Sequence, residues 1–160
     1  MVGRAPRARR NGDRQMTINQ ISVFLENRPG QLAGICRTLA NAGISIVTLS
    51  LADTAEFGIV RMIVDDHAKA KEVLKAAGHV ANVREVVAVT VPDRPGGMAE
   101  ILDVLDTAKV DIEYSYAFAF HHGEKAVLVF RFDDNEKACS ALAAAGHPVL
   151  DFKSVLEEAK

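Results

Sequence analysis

Ile21, Val23 and Leu25 alternate with Ser22, Phe24 and Glu26, a period of two that predicts a half-buried strand. Val87, Val89 and Val91 repeat that pattern further along the chain. Between them, Leu32, Ile35, Leu39 and Ala42 recur at helical spacing, and Gly43 follows as a stop signal. Met98, Ile101, Leu105 and Ala108 do the same in the second half. Residues 44–52 and 57–64 are rich in strand formers and joined by a short polar turn, which predicts a hairpin. Residues 110–118 and 125–132 predict a second one. Asp66 and Asp134 stand where helix N-caps belong. The helices they open bury Ala70, Val73, Leu74 and Ala77, or Ala138, Ala141, Leu142 and Ala145, and stop at Gly78 and Gly146. A last strand is expected after each, over residues 80–84 and 148–154.

The halves are copies. At an offset of 66, Arg28-Pro29-Gly30 matches Arg94-Pro95-Gly96, and Ala33, Ile35, Leu39, Ala42 and Ile46 match Ala99, Ile101, Leu105, Ala108 and Ile112. Beyond a two-residue insertion near His121-His122 the offset becomes 68, and Asp65-Asp66 match Asp133-Asp134, while Leu74, Ala76, Ala77, Gly78 and His79 match Leu142, Ala144, Ala145, Gly146 and His147. Each copy reads strand, helix, strand, strand, helix, strand, the split βαβ order of a four-stranded antiparallel sheet with two helices on one face. No Gly/Ser linker separates the copies, so the boundary near Glu85 is expected to be a stiff joint. The expected units are 16–85 and 86–160, an α+β pair of ferredoxin-like βαββαβ folds packed as a pseudo-dimer with antiparallel sheets.

A strand, then Asn27 or Asp93, then Arg-Pro-Gly, then a Leu- or Met-led amphipathic helix, all within a βαββαβ unit, resembles the ACT domain. The resemblance runs from Ile18 to about Val155 and is closest to stand-alone tandem ACT proteins, which carry no catalytic domain. It implies a non-catalytic regulatory protein that binds a free amino acid at the interface of its two domains, near the Arg-Pro-Gly turns. By position, the resemblance draws in Leu49 and Ser50 of the first copy and Tyr114, Ser115 and Tyr116 of the second. The alternative is a regulatory small subunit like that of acetolactate synthase. That subunit shares an opening such as ISVFLENRPGQL, but its second half lacks a turn like Asp93 to Gly97.

The chemistry of the turn is readable without the resemblance. Pro29 and Pro95 suit a tight turn, and Gly30 and Gly96 let backbone approach a ligand. A helix start presents free N–H groups with partial positive charge, which suits a carboxylate. Gln31 and Gly97 follow directly, so their amides are the expected carboxylate donors. Leu32, Met98 and Leu49 offer apolar walls. Asn27 or Asp93 caps the helix or accepts from an ammonium group, and the charge of Asp93 makes the second turn the better ammonium partner. The copies differ, Glu113 and Tyr114 standing where Val47 and Thr48 do, so one good site per chain is expected. Alternating Tyr114, Tyr116 and Phe118 should share a strand face, with Ser115 on the other. The tyrosines either border the ligand or pack the seam between domains.

Composition removes other classes. Of 160 residues 49% are hydrophobic, as in ordinary globular proteins. No apolar run reaches the length of a membrane span. Residues 1–15 hold five arginines against Asp13, a net of +4, which leaves −6 for the remainder of a chain of net charge −2. That acidic remainder gives nucleic acid no surface to grip, so the basic extension is expected to be disordered. Cys36 and Cys139 fall at non-equivalent helical positions, as buried small hydrophobes rather than a disulfide, and a reducing cytoplasmic home follows. His67, His79, His121, His122 and His147 form no set with metal-ligand spacing. Neither a nucleophilic triad nor a Gly-rich phosphate loop is legible. No catalytic residue, metal or cofactor is expected. The expected partners are a free amino acid, an enzyme of amino-acid metabolism regulated in trans, and a second copy in a homodimer.

Overall fold

The computed structural model describes residues 16–122 and 124–159; the basic extension of residues 1–15 lies outside the described residues. The first unit comprises β1 (Ile18–Glu26), α1 (Gln31–Asn41), β2 (Ile46–Asp53), β3 (Phe57–Val64) and α2 (His67–Ala76). A single long strand, β4 (Val80–Pro92), leads into α3 (Gly97–Thr107), β5 (Ile112–His122), β6 (Lys125–Phe132), α4 (Asn135–Ala144), β7 (Val149–Leu150) and α5 (Phe152–Glu158).

The stiff joint is β4 itself. Its first half pairs antiparallel with β1, from Val80 opposite Phe24 to Val86 opposite Ile18. From Val87 to Pro92 it pairs with β6 instead. One strand thus serves as the last of the first unit and the first of the second, and the sheet runs β2-β3-β1-β4-β6-β5 with β7 also on β4. The pairing changes hands between Val86 and Val87.

Alternation along these strands sorts side chains into three cores. Ile21, Val23, Leu25, Val60 and Met62 meet Ile35, Leu39 and Leu74 of the first helical layer. Val87, Val89, Val91, Phe130 and Phe132 meet Ile101, Leu105 and Leu142 of the second. The opposite sheet face curls on itself, bringing Ile18, Ile63 and Val86 against Phe118, Val127 and Val129. The terminal strands approach each other there, Thr48 Oγ1 donating to Ala117 O at 3.5 Å.

The helix punctuation follows the sequence reading. Asp66 accepts from the Lys69 amide at 3.0 Å and Asp134 from the Lys137 amide at 2.9 Å. After α2 and α4 the chain turns through Gly78 and Gly146 at positive φ, and the amides of His79 and His147 return to Leu74 and Leu142. The last expected strand is a correction. Only Val149 and Leu150 pair with β4, and Phe152 onward is helix. Asp151 caps that helix by accepting from the Ser154 amide at 2.8 Å, and Phe152 and Val155, one turn apart, dock on the inner core. The cap and this docking outweigh the weak alternation of residues 149–154.

Candidate functional site

The repeated Arg-Pro-Gly has a backbone explanation. Gly30 sits at φ 87°, ψ −14° and Gly96 at φ 88°, ψ −13°. The Gln31 amide donates to Arg28 O at 3.3 Å and the Gly97 amide to Arg94 O at 3.0 Å. That is a type II turn, with proline at its second position and glycine at the left-handed third. Each turn is tethered to the following hairpin, because the Asn27 amide donates to Glu56 O at 2.9 Å and the Asp93 amide to Glu124 O at 3.1 Å. Gly30 and Gly96 occupy the N-cap positions, so no side chain caps either helix.

The turn moves the free helix donors one residue on. Gln31 and Gly97 spend their amides on the turn, while Gly34 donates to Gly30 O and Glu100 to Gly96 O at the start of the helical ladder. Leu32 and Ala33, or Met98 and Ala99, are the first-turn amides left without an intrahelical acceptor.

At the first turn these amides border an open cavity of about 360 Å³. Of the residues singled out in the sequence, Asn27, Arg28, Pro29, Gly30 and Leu32 line it and Gln31, Leu49 and Ser50 do not; Leu25, Glu26, Ala33, Leu51 and Gly58 complete it. Arg28 forms an ion pair with Glu26 at the mouth, both side chains largely exposed. The cavity thus carries an acid, a base, free amides and an apolar floor.

Strand register explains the wall residues that sequence reasoning missed. A bulge between Ile46 and Thr48 sets Leu49 opposite Met62, Ser50 opposite Arg61 and Leu51 opposite Val60. Leu49 and Leu51 therefore share the helix-side face and are 40% and 47% exposed, and it is Leu51 that reaches the cavity. Ser50 points to the opposite face. The alternation of Leu49 and Leu51 was the one signal that pointed to the second leucine.

The second turn is built more tightly. Gly97 is buried, and a Cβ there would lie 1.9 Å from Pro92 O. Arg94 reaches forward to Glu100 at 2.5 Å, where Arg28 reaches back to its strand. Met98 packs on the second core, and Pro95 and Gly96 are exposed.

Tyr114 and Tyr116 share a face, opposite Arg131 and Val129, with Ser115 on the other. That face is the inner one, away from both turns. The Tyr116 hydroxyl donates to Gln20 Oε1 at 2.7 Å, and Gln20 Nε2 donates to Tyr114 Oη at 2.8 Å and Ser22 Oγ at 3.0 Å. The tyrosines thus pack the seam between units, and within one chain they are not brought together with Asn27 to Leu32. Burial raises the Tyr116 phenol well above its usual range, Tyr114 adds to this and Arg61 opposes it. Cys36 and Cys139 are free thiols; burial pushes Cys139 up to about 11, so it is inert packing.

Residues 16–151 match the family model of the ACT domain pair. The chain is similar to protein BT0572 from Bacteroides thetaiotaomicron, at 34% identity and TM-score 0.81 over 88% of this chain and 96% of that one. It also resembles the regulatory subunits of aspartate kinase from Thermus thermophilus (20% identity, TM-score 0.60, 84% of this chain and 94% of that) and Thermus flavus (21%, 0.57, 80% and 92%). No curated protein matches the chain closely enough to count as a relative. Among the described residues no helix is long and apolar enough to cross a membrane.

Proposed function

The chain belongs to the ACT domain pair family, and on that premise we propose that it is a non-catalytic amino-acid sensor whose ligand sits at the first Arg-Pro-Gly turn. The observation that carries this reading is the lining of the turn cavity. Leu32 and Ala33 amides at the start of α1 suit an α-carboxylate, Glu26 and Asn27 suit an ammonium group, and Leu25, Leu32 and Leu51 suit an apolar side chain. The second turn, with Gly97 held against its own strand, takes a structural part. Leu49 and Leu51 leave apolar surface 40% and 47% exposed on the helix-side face of the first unit's sheet. A second copy covering that surface closes the cavity, which makes the protein a homodimer with ligand at the interface. Ligand then acts by its differential affinity for two arrangements of the subunits, and so on an enzyme of amino-acid metabolism in trans.

Thermal unfolding against each of the twenty amino acids tests the reading. Ligand at about 100 times its dissociation constant adds about 2.7 kcal/mol, a rise of roughly 5 to 10 °C for a chain this size. Leu51→Asp should abolish the shift and Ser115→Ala should leave it. No shift with any amino acid would remove the sensor reading.

A second reading makes the chain a subunit that stays bound to a biosynthetic enzyme. It is favoured by the fold shared with the regulatory subunits of aspartate kinase from Thermus thermophilus and Thermus flavus. Co-purification with a catalytic chain from the native source would support it, and isolation of the protein alone would count against it.

A further inference from the structure

The inner face of the curled sheet is dry at one end only. Around α5 it is filled by Ile18, Phe118, Val127, Leu150 and Val155. Past the Gln20, Tyr114 and Tyr116 bonds it opens into a second cavity of about 370 Å³, with Ser22 of β1, Arg61 of β3, Arg84 of β4, Glu113 and Tyr114 of β5 and Arg131 of β6 in its walls. Neither unit owns this cavity alone.

Its charge is unlike that of the chain. Three guanidinium groups face one carboxylate, a local +2 in a protein of net charge −2. The carboxylate is already engaged, since Arg131 Nε donates to Glu113 Oε2 at 3.2 Å while its Nη1 donates to Glu85 O at 2.9 Å. Arg61 lies with its Cζ 3.9 Å from the centroid of the Tyr114 ring. That contact holds the guanidinium over the ring, and among the described residues its N–H groups donate no hydrogen bond. Among the described residues the Arg84 side chain has no hydrogen-bond or ion-pair partner. Like charges gathered in a partly enclosed space repel more strongly than in water, and a bound anion relieves that repulsion.

We propose that this inter-unit cavity binds a small dianion, a phosphate monoester or a dicarboxylate, through Arg61, Arg84 and Arg131. Guanidinium forks match both headgroups, which is their shared chemistry. Phe24 and Ile59 in the same wall accommodate a short carbon skeleton. A free α-amino acid is the poorer ligand here, because three guanidinium groups outnumber the one carboxylate that could receive an ammonium group. The dianion contacts strands of both units and so ties the inner faces together, separately from any ligand at the turn.

The test is calorimetric titration of the full chain at low ionic strength with inorganic phosphate and with succinate. Tyrosine fluorescence is a second readout, since Tyr114 and Tyr116 are the only tyrosines and there is no tryptophan. At least one probe should saturate at one per chain, below about 10 mM, and weaken as salt is added. Arg84→Ala, at an exposed position that leaves the fold intact, should weaken it about tenfold, and Arg84→Glu further. Saturation by phosphate alone assigns the phosphate class, and by succinate alone the dicarboxylate class. Leu51→Asp should leave the dianion response unchanged, which separates this site from the turn. Saturation by neither probe, or saturation unchanged in Arg84→Ala, overturns the proposal.

Discussion

Gln20 and Tyr116, 96 positions apart, are joined by a hydrogen bond of 2.7 Å across the seam of the two units. Gln20 is fully buried, and its amide nitrogen serves Tyr114 and Ser22 while its oxygen receives Tyr116. One amide therefore satisfies two phenols from the other half of the chain. Gln20→Leu keeps the volume and strands both hydroxyls, which should cost about 2–3 kcal/mol. Tyr116→Phe should cost about 1–2 kcal/mol. Urea unfolding of both variants and their double mutant should give a coupling of about 1 kcal/mol; strict additivity would show that the bond contributes nothing.

Alkali should unfold the protein through two named groups. Burial raises Tyr116, and raises Cys139 from 9.0 to about 11. The folded state holds both protons more tightly than the unfolded chain does. Their contribution is complete below about pH 9, then falls as the unfolded thiol and, from about pH 10, the unfolded phenol ionise. The urea midpoint should thus decline above about pH 9, with a shallower slope in Tyr116→Phe above pH ~10. A midpoint level through pH ~11 would contradict the burial of both groups.

Alanine should be tolerated better within the Arg-Pro-Gly turns than at Gly97, directly after the second one. A methyl at Gly30 meets nothing within 4 Å, so Gly30→Ala carries only the strain of φ 87°, about 1–2 kcal/mol. A methyl at Gly97 collides with Pro92 O at 1.9 Å, and Gly97→Ala should cost about 3 kcal/mol or more. Equal losses in chemical unfolding would mean that Gly97 is not held against Pro92.

Lys109 is strained where its counterpart is not. It sits at φ 55° after α3, at the position where the first unit has Gly43 at φ 72°. Lys109→Gly should raise stability by about 0.5–1 kcal/mol, relief of the left-handed backbone exceeding glycine's extra chain entropy. The exposed ion pair to Asp106 at 3.2 Å adds little. A lower melting temperature in the variant would refute this account.

Some of the candidate site was legible because its cause is local. Arg28, Pro29 and Gly30 specify a turn through φ limits and one short hydrogen bond, and Asn27 and Leu32 are fixed beside it by chain connectivity. The donor assignment slipped by one residue because the Gln31 amide closes the turn, a bond that helix reasoning alone does not count. Leu51 was missed because a β-bulge at Ile46 and Thr48 decides which face of β2 each side chain takes, and Gly58 because it joins the cavity from the neighbouring strand β3. The cluster of Arg61, Arg84 and Arg131 left no trace in the sequence, since it draws on three strands and both units.

Periodicity, caps and the offset of the repeat determined by themselves that two βαββαβ units follow one another, where their helices begin and end, and most of each helical core, although Ala77 and Ala145, expected inside, stand exposed at the helix ends. Those features depend on neighbours within a few positions, and the chain encodes them directly. Only the tertiary structure decided that β4 is one unbroken strand, that the tail folds into α5, and that the sheet curls until Gln20 meets Tyr116. Such choices follow from burying the second face of a sheet whose first face is already covered by helices. That is a balance over the whole molecule, and no local pattern records it.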